Sequence, residues 1–132
     1  MPTNETDRPG ALSAAGKWLT LVDANNYGES WEQASSLFKD GIRTASLFLA
    51  GISKQQWRST LSATLVPLGR VRSRELRSEQ YVNELPSAPE GEYFVLEYET
   101  SFERQRKVDE RLILMKDADG EWRVAEYRVL LA

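Results

Sequence analysis

The spacing of apolar residues changes near Gly69, and this change constrains the fold more than any other feature of the sequence. Before Gly69, apolar residues recur every three or four positions, which is typical of helices with one buried face. Beyond it, apolar and charged residues alternate, most regularly between Phe94 and Phe102. Alternation with a period of two predicts strands with one buried face. Helices followed by strands predict an α+β fold, in which the helices pack on one face of a curved antiparallel sheet of about four strands.

Two helices are predicted in the first third of the chain. Leu12, Ala15, Leu19 and Val22 share one helical face, so the first helix should run from about Ala11 to Ala24. A second helix should begin at Trp31. The reason is that Ser30 stands three residues before Gln33, the spacing of a capping box, in which each side chain satisfies a free backbone donor.

Ser53 and Gln56 repeat the capping-box spacing and predict a third helix, which Pro67 and Gly69 end. Between the second and third helices, Ser36–Ile42 is echoed ten residues later by Ser46–Ile52. Ten residues at about 100° each leave the second copy rotated by roughly 80°, so both copies cannot share one stripe of a straight helix.

Two structures are consistent with this echo. Either the helical region is extended and its apolar face widens, or the chain breaks near Gly41. The extension is the plainer interpretation, because surface elements tolerate insertions. The alternative role is an exposed Leu-Phe surface used for dimerisation or for docking a partner.

Strands account for most of the second half. They are predicted at Val71–Val82, from Phe94 to Phe102, at Val108–Lys116 and at Trp122–Leu131. Two prolines and a glycine in Pro86–Gly91 mark a connection between the first two strands, and Asp117–Gly120 predicts a hairpin between the last two.

The composition excludes several classes of chemistry. The chain has no cysteine and no histidine, which removes disulfides, thiol catalysis, Ser-His-Asp catalysis and the commonest transition-metal ligands. A net charge of -3 argues against general binding to nucleic acid. The segment Asp117–Glu121 lacks the frame of a calcium loop and is better explained as a turn. We therefore expect no metal, no cofactor and no nucleic-acid partner.

The domain organisation is predicted to be simple. Residues 1–10 are polar and rich in turn formers, so they should form a disordered arm, and residues 11–132 should form a single α+β domain. The longest strongly apolar stretch, Ala45–Ile52, is far shorter than the roughly 20 residues that span a bilayer. No targeting segment is visible, although a start of this kind also fits a chain whose signal peptide has been left out.

Several short motifs occur in an order and spacing that resemble the DUF4019 family over roughly residues 14–128. They are Trp18–Asp23, Tyr27–Trp31, Leu37–Phe38, Trp57, Pro67–Gly69, Ser73–Arg74, Leu85–Tyr93, Thr100–Phe102, Asp119–Val124 and Tyr127. The resemblance implies an uncharacterised bacterial protein, often exported to the periplasm or secreted, with an NTF2-like or cystatin-like fold. The echo and Glu126, which stands where the family has a small residue, depart from the pattern.

The aromatic residues around Asp23 are the first candidate site. Large aromatic side chains usually anchor a core, and an aspartate can pair with their N–H or O–H groups. The resemblance to NTF2-like folds implies a second role, a pocket for a small apolar ligand at the open end of the sheet. The candidate lining residues are Trp18, Asp23, Tyr27, Trp31, Tyr98 and Tyr127. An isomerase- or hydrolase-type enzyme would use Asp23 as base with one of these tyrosines.

The arginines of the first predicted strand are the second candidate. Arg70, Arg72 and Arg74 alternate, so they should share one strand face. Guanidinium groups bind carboxylates or phosphates through paired hydrogen bonds, which makes this face a candidate anion- or partner-binding surface. The alternative is a solvated face, on which arginines pair with glutamates of the neighbouring strand, Glu97, Glu99 and Glu103.

Together these observations predict a non-catalytic binding module of the bacterial envelope, with a small apolar ligand or a protein as partner. The alternatives are the enzyme just described and a structural domain that forms a homodimer.

Overall fold

The computed structural model describes residues 3–43, 48–86 and 88–130, and the side chains of these residues outside 41–50. The helices are α1 (Arg8–Asp23), α2 (Tyr27–Glu32), α3 (Ser36–Asp40) and α4 (Lys54–Leu65), followed by a 3-10 turn at Val66–Leu68. The strands are β1 (Gly41–Arg43), β2 (Phe48–Ala50), β3 (Val71–Val82), β4 (Tyr93–Phe102), β5 (Val108–Lys116) and β6 (Trp122–Leu130). The predicted α+β plan, with N-terminal helices and a four-stranded antiparallel sheet, is confirmed.

Helix α1 begins at Arg8, three residues before the predicted start, with Pro9 in its first turn. The expected disordered arm is therefore wrong for residues 8–10. The residues just before them contact the sheet, because Asn4 donates to Glu92 at 3.1 Å and Lys116 donates to Asp7 at 3.0 Å. The hydrogen bond from Lys116 lowers the pKa of Asp7.

Helix α2 begins at Tyr27, and the predicted start at Trp31 is wrong. Ser30 lies inside the helix and is fully buried. Its hydroxyl donates to the Tyr27 carbonyl at 2.7 Å and accepts from the indole of Trp57 at 2.9 Å, while its own carbonyl accepts from the indole of Trp18 at 2.8 Å. Ser30 thus joins α1, α2 and α4 rather than capping a helix.

The helical extension proposed for the echo is wrong. The chain leaves α3 at Asp40 and forms the antiparallel β1–β2 hairpin, in which Gly41 pairs with Ala50. Phe38 of the first copy is buried in the core, so it supplies no exposed surface. Ser46 and Leu47 of the second copy lie outside the described residues. At Gly51 a Cβ would stand 2.1 Å from the Lys39 carbonyl oxygen, so only glycine lets the hairpin pass this close to α3.

Helix α4 starts as predicted. The Ser53 hydroxyl accepts from the Gln56 backbone N–H, and the Gln56 side chain accepts from the Ser53 backbone N–H, both at 3.1 Å. Gly69 follows the 3-10 turn with φ of 81°, a conformation that favours glycine.

The sheet has the order β3-β4-β5-β6. The predicted strands at Val71–Val82 and Val108–Lys116 are confirmed, and the last strand ends at Leu130, beyond which Leu131 lies outside the described residues. Irregularities in pairing lie near Arg72, Arg77 and Ile113, and bulges of this kind bend a sheet. Helix α1 packs against β5 and β6, and α3 packs against β6, so the core lies between the helices and the inner face of the sheet.

Candidate functional site

A buried carboxylate lies on the inner face of the sheet, where apolar residues are expected. Glu110 is in β5, on the same face as Val108 and Leu112, and its side chain is 0 % exposed. One carboxylate oxygen accepts from Arg74 Nε at 2.8 Å and from the Thr100 hydroxyl at 2.5 Å. The other oxygen accepts from the Tyr127 hydroxyl. Burial of an ionised carboxylate requires such partners, because the cost of removing it from water is several kcal/mol.

Arg74 connects this carboxylate to the end of α1. Its two terminal nitrogens donate to the two carboxylate oxygens of Asp23 at 2.8 and 2.9 Å, while its Nε faces Glu110. Burial opposes the charge on Arg74, but the hydrogen bonds and charges of the two carboxylates outweigh this and raise its pKa. We call Asp23, Arg74, Thr100, Glu110 and Tyr127 the buried charge cluster.

The tyrosines near the cluster are held in the protonated form. Burial raises the pKa of Tyr127, and the neighbouring Glu110 charge raises it further. Tyr98 stands opposite Glu110 in the β4–β5 register and is half-buried, and burial raises its pKa as well. Both hydroxyls therefore keep their protons at neutral pH, and that of Tyr127 donates to Glu110.

The remaining predicted pocket residues are distributed between the core and its border. Trp18 is buried, with its ring 5.2 Å from the ring of Tyr127. Tyr27 is buried as well and donates to the Asn25 side chain at 2.9 Å. Trp31 is half-buried and donates to the Ile52 carbonyl at 2.7 Å. The structure brings Trp18, Asp23 and Tyr127 together, whereas Tyr27 and Trp31 lie with α2.

The space beside the buried charge cluster is small. Asp23, Asn25, Glu110 and Tyr127, with apolar neighbours, line a cavity of about 20 Å³. A cavity of this size holds one water molecule, whereas pockets for small organic ligands measure about 300–1,000 Å³. The cluster and the aromatic side chains fill the concave side of the sheet at this position.

Sequence reasoning missed Glu110 and Thr100. A signal for Glu110 was present, because Val108, Glu110, Leu112 and Leu114 alternate and place a carboxylate within an apolar strand face. Thr100 carries no comparable signal. Its role follows from pairing, since β4 sets it opposite Arg74.

The predicted arginine face is divided. Arg74 points inward to Asp23 and Glu110, so it is not on a solvated face with Arg70 and Arg72, which are exposed. The cause is the pairing irregularity at Arg72, which interrupts the alternation of side chains along β3. Pairing with β4 glutamates occurs further along, where Arg77 donates to Glu99 at 2.8 Å.

A family model matches most of the chain. The family model described as a protein of unknown function, DUF4019, matches residues 14–127. The chain belongs to the DUF4019 family. No curated protein matches this DUF4019 chain. Within the described ranges, none of its helices combines the length and the apolar character needed to cross a membrane.

Solved structures similar to the DUF4019 chain share its fold. One is an NTF2-like protein of unknown function from Silicibacter pomeroyi, 14% identical, with a TM-score of 0.53 over 96% of this chain and 99% of that one. A protein from Catenulispora acidiphila is 14% identical, with a TM-score of 0.53 over 94% of this chain and 90% of that one. An NTF2-like protein from Cytophaga hutchinsonii is 16% identical, with a TM-score of 0.50 over 98% of this chain and all of that one. At these identities the likeness shows an NTF2-like fold alone.

Proposed function

We propose that the DUF4019 chain is a non-catalytic module that binds a partner protein through its outer surface rather than a small ligand inside the sheet. One observation carries this proposal, the 20 Å³ cavity beside the buried charge cluster. A drug-sized or apolar ligand needs more than tenfold this space, about 300 Å³ or more. Binding at that position would require the Arg74 ion pairs to separate.

The hydrogen bonds of the buried charge cluster also support a structural role. Both oxygens of Glu110 accept from side chains, and both oxygens of Asp23 accept from Arg74. A buried polar group with all its partners is rigid, and displacing one partner leaves an unpaired charge. The cluster therefore holds the end of α1 against the sheet.

Native mass spectrometry of the chain, purified from its own cells, tests this proposal. We expect the mass of the bare polypeptide and no melting-temperature shift with small apolar compounds. The matched variants are Leu112→Ala, which enlarges the inner space, and Ser59→Ala on the exposed face of α4. A bound small molecule that Leu112→Ala changes and Ser59→Ala does not would overturn the proposal.

An enzyme is the second candidate, because Asp23, Glu110 and Tyr127 border a cavity of water size. In such an enzyme Asp23 would activate the water and Tyr127 would donate a proton or hydrogen bond. The geometry favours this less, since Tyr127 is bonded to Glu110 and Asp23 to Arg74. Turnover of an ester or epoxide that is lost in Asp23→Asn and retained in Arg77→Gln would establish the enzyme instead.

Envelope location is also part of the proposal, whereas a homodimer is the alternative that it disfavours. The face of the sheet away from the helices carries ion pairs, such as Arg111 with Glu126 at 3.3 Å, so it offers little apolar surface to a second copy. The native mass spectrum reads the oligomeric state directly. Cell fractionation of the tagged protein tests the periplasmic or secreted location that the family resemblance implies.

A further inference from the structure

Five basic side chains gather at one end of the sheet, although the chain as a whole has a net charge of -3. They lie at the start of β3 and in the turn between β4 and β5, and all five are exposed. We call this set the basic end, and its members are Arg70, Arg72, Arg104, Arg106 and Lys107. The rest of the chain is correspondingly more acidic.

Backbone hydrogen bonds hold the two segments of the basic end together. The N–H of Glu103 donates to the Arg70 carbonyl at 2.9 Å, and the N–H of Arg104 donates to the Leu68 carbonyl at 2.9 Å. Ser73 pairs with Ser101 in the β3–β4 register just beyond. The positions of the basic side chains are therefore set by the sheet and not by a free loop.

The carboxylates near the basic end are already engaged. Glu103 accepts from the Arg70 backbone N–H at 2.7 Å, and this hydrogen bond, with the charges of the nearby arginines, lowers its pKa. Glu75 and Glu99 lie 3.5 and 2.8 Å from Arg77. Among the residues that the structure describes, no carboxylate forms an ion pair within 4.0 Å of any side chain of the basic end. These cations are available to an external anion.

An open cleft of about 570 Å³ lies beside two of these cations, Arg106 and Lys107. Ser73 and Ser101 line it as well, together with two carboxylates, Glu75 and Glu99. Lys107 has φ of 56°, a left-handed conformation that costs a lysine about 1 kcal/mol or more.

We propose that the basic end and its cleft bind an acidic segment of a partner protein. This inference rests on the proposed partner-binding function and names the chemistry of the partner. Arginine and lysine at the cleft fit carboxylate side chains, and the two serines fit the hydrogen-bonding groups of an extended backbone. A concave cleft accommodates a chain, whereas a planar bilayer does not require one.

Charge distribution favours a peptide over nucleic acid. A nucleic acid carries a phosphate at every step, and the neighbouring Glu75, Glu99 and Glu103 oppose such a continuous run of negative charge. A peptide can place neutral residues next to these glutamates and its carboxylates next to Arg106 and Lys107.

Fluorescence anisotropy with a labelled peptide of alternating Glu and Ser tests the proposal on the full chain. The test variant is Arg106→Glu with Lys107→Glu, and the milder pair Arg106→Gln with Lys107→Gln guards against misfolding. The matched control is Lys17→Glu with Arg58→Glu, which makes the same charge change at exposed positions of α1 and α4. A labelled alternating Lys-Ser peptide and a labelled oligothymidylate are the comparison probes.

We expect the Glu-Ser peptide to bind at low ionic strength and more weakly at about 0.15 M salt, because exposed charges are screened. The test variant should weaken binding about tenfold or more, which corresponds to about 1.4 kcal/mol, and the control pair should change it less than about twofold. Binding to the Arg106→Gln, Lys107→Gln variant should be weakened by an amount between those of the test and control variants. The Lys-Ser peptide should not bind.

Equal weakening by the test and control variants, or no binding at low salt, would overturn the proposal. Tighter binding of oligothymidylate that the test variant abolishes would do so as well, since the surface would then serve nucleic acid. If the Glu-Ser peptide does not bind and the native mass spectrum shows the chain without a small molecule, the inference of an acidic partner is refuted. The proposed protein-binding function is then still standing. A small molecule retained inside the sheet would refute the proposed function itself, whatever the peptide does.

Discussion

Removal of Arg74 is expected to destabilise the fold more than any other single charge deletion in the sheet. Arg74→Met keeps the aliphatic stem but removes all three hydrogen bonds, one to Glu110 and two to Asp23. The side chain of Asp23 is 32 % exposed and can return to water, so its share of the loss is about 1 kcal/mol or less. The side chain of Glu110 is 0 % exposed and cannot return to water. Breaking a buried ion pair costs about 3–5 kcal/mol.

We expect a total loss near the lower end of this range, about 3–4 kcal/mol, because Thr100 and Tyr127 still donate to Glu110. The matched control is Arg77→Met in the same strand. Its ion pair with Glu99 joins side chains that are 53 % and 36 % exposed, and such pairs contribute about 1 kcal/mol at most. The difference between the stability losses of Arg74→Met and Arg77→Met thus measures the effect of burial on an ion pair.

Urea unfolding followed by tryptophan fluorescence, with linear extrapolation to water, measures these free energies. A double-mutant cycle with Glu110→Gln completes the test. Once Glu110 is neutral, loss of Arg74 leaves no buried charge, so the double variant should be about 2 kcal/mol more stable than the sum of the single losses predicts.

If Arg74→Met does not fold, Glu110→Gln and Asp23→Asn can be measured alone. The first should cost more than the second, because only Glu110 is fully buried. Additive losses in the cycle, or an Arg74→Met loss within about 1 kcal/mol of the Arg77→Met loss, would refute the assignment of the cluster as a buried structural unit.

Three further predictions concern single contacts. Ser53→Ala removes the cap of α4 and should lower the free energy of unfolding by about 1 kcal/mol in urea denaturation, whereas Ser59→Ala, on the exposed face of the same helix, should change it by less than about 0.5 kcal/mol. Tyr127→Phe leaves one oxygen of the buried carboxylate without a donor and should cost about 1–3 kcal/mol by the same method, and an unchanged midpoint would contradict this. The pKa of Asp119 is lowered to about 2, first by the hydrogen bond from Arg123, so Arg123→Gln should move it towards 3.8 in a carboxyl ¹³C NMR titration.

The lowered pKa of Asp119 also fixes how its contribution to stability depends on pH. A carboxyl whose pKa is lower in the folded state binds fewer protons than in the unfolded state. Its contribution to stability is present above the unfolded pKa and is lost as the pH falls through the folded value, between about 4 and about 2 for Asp119. An unshifted Asp119 in the unmodified chain would show that its ion pair with Arg123 does not form in solution.

Local signals in the sequence determined much of the secondary structure. The Ser53–Gln56 spacing marked the start of α4, and period-two alternation marked Val71–Val82 and Val108–Lys116. Such signals work because capping and one-sided burial act between residues close in the chain. The spacing of Ser30 and Gln33 gave a wrong helix start because it, too, is only a local signal. It matches a cap locally, yet Ser30 is buried between Trp18 and Trp57, which arrive from other helices.

The partners of the charged residues were decided by tertiary structure alone. Asp23, Arg74 and Glu110 come from α1, β3 and β5, and no spacing along the chain indicates that they meet. The pairing irregularity at Arg72 then separates Arg74 from the arginines expected beside it, so one arginine became part of the interior and two remained on the surface. The sequence by itself determined the family, the α+β class and the periods of its elements. Which charges are buried, and therefore whether the concave side of the sheet is filled or open, depended on contacts between distant segments, because electrostatic pairing is set by distance in space and by exposure to water.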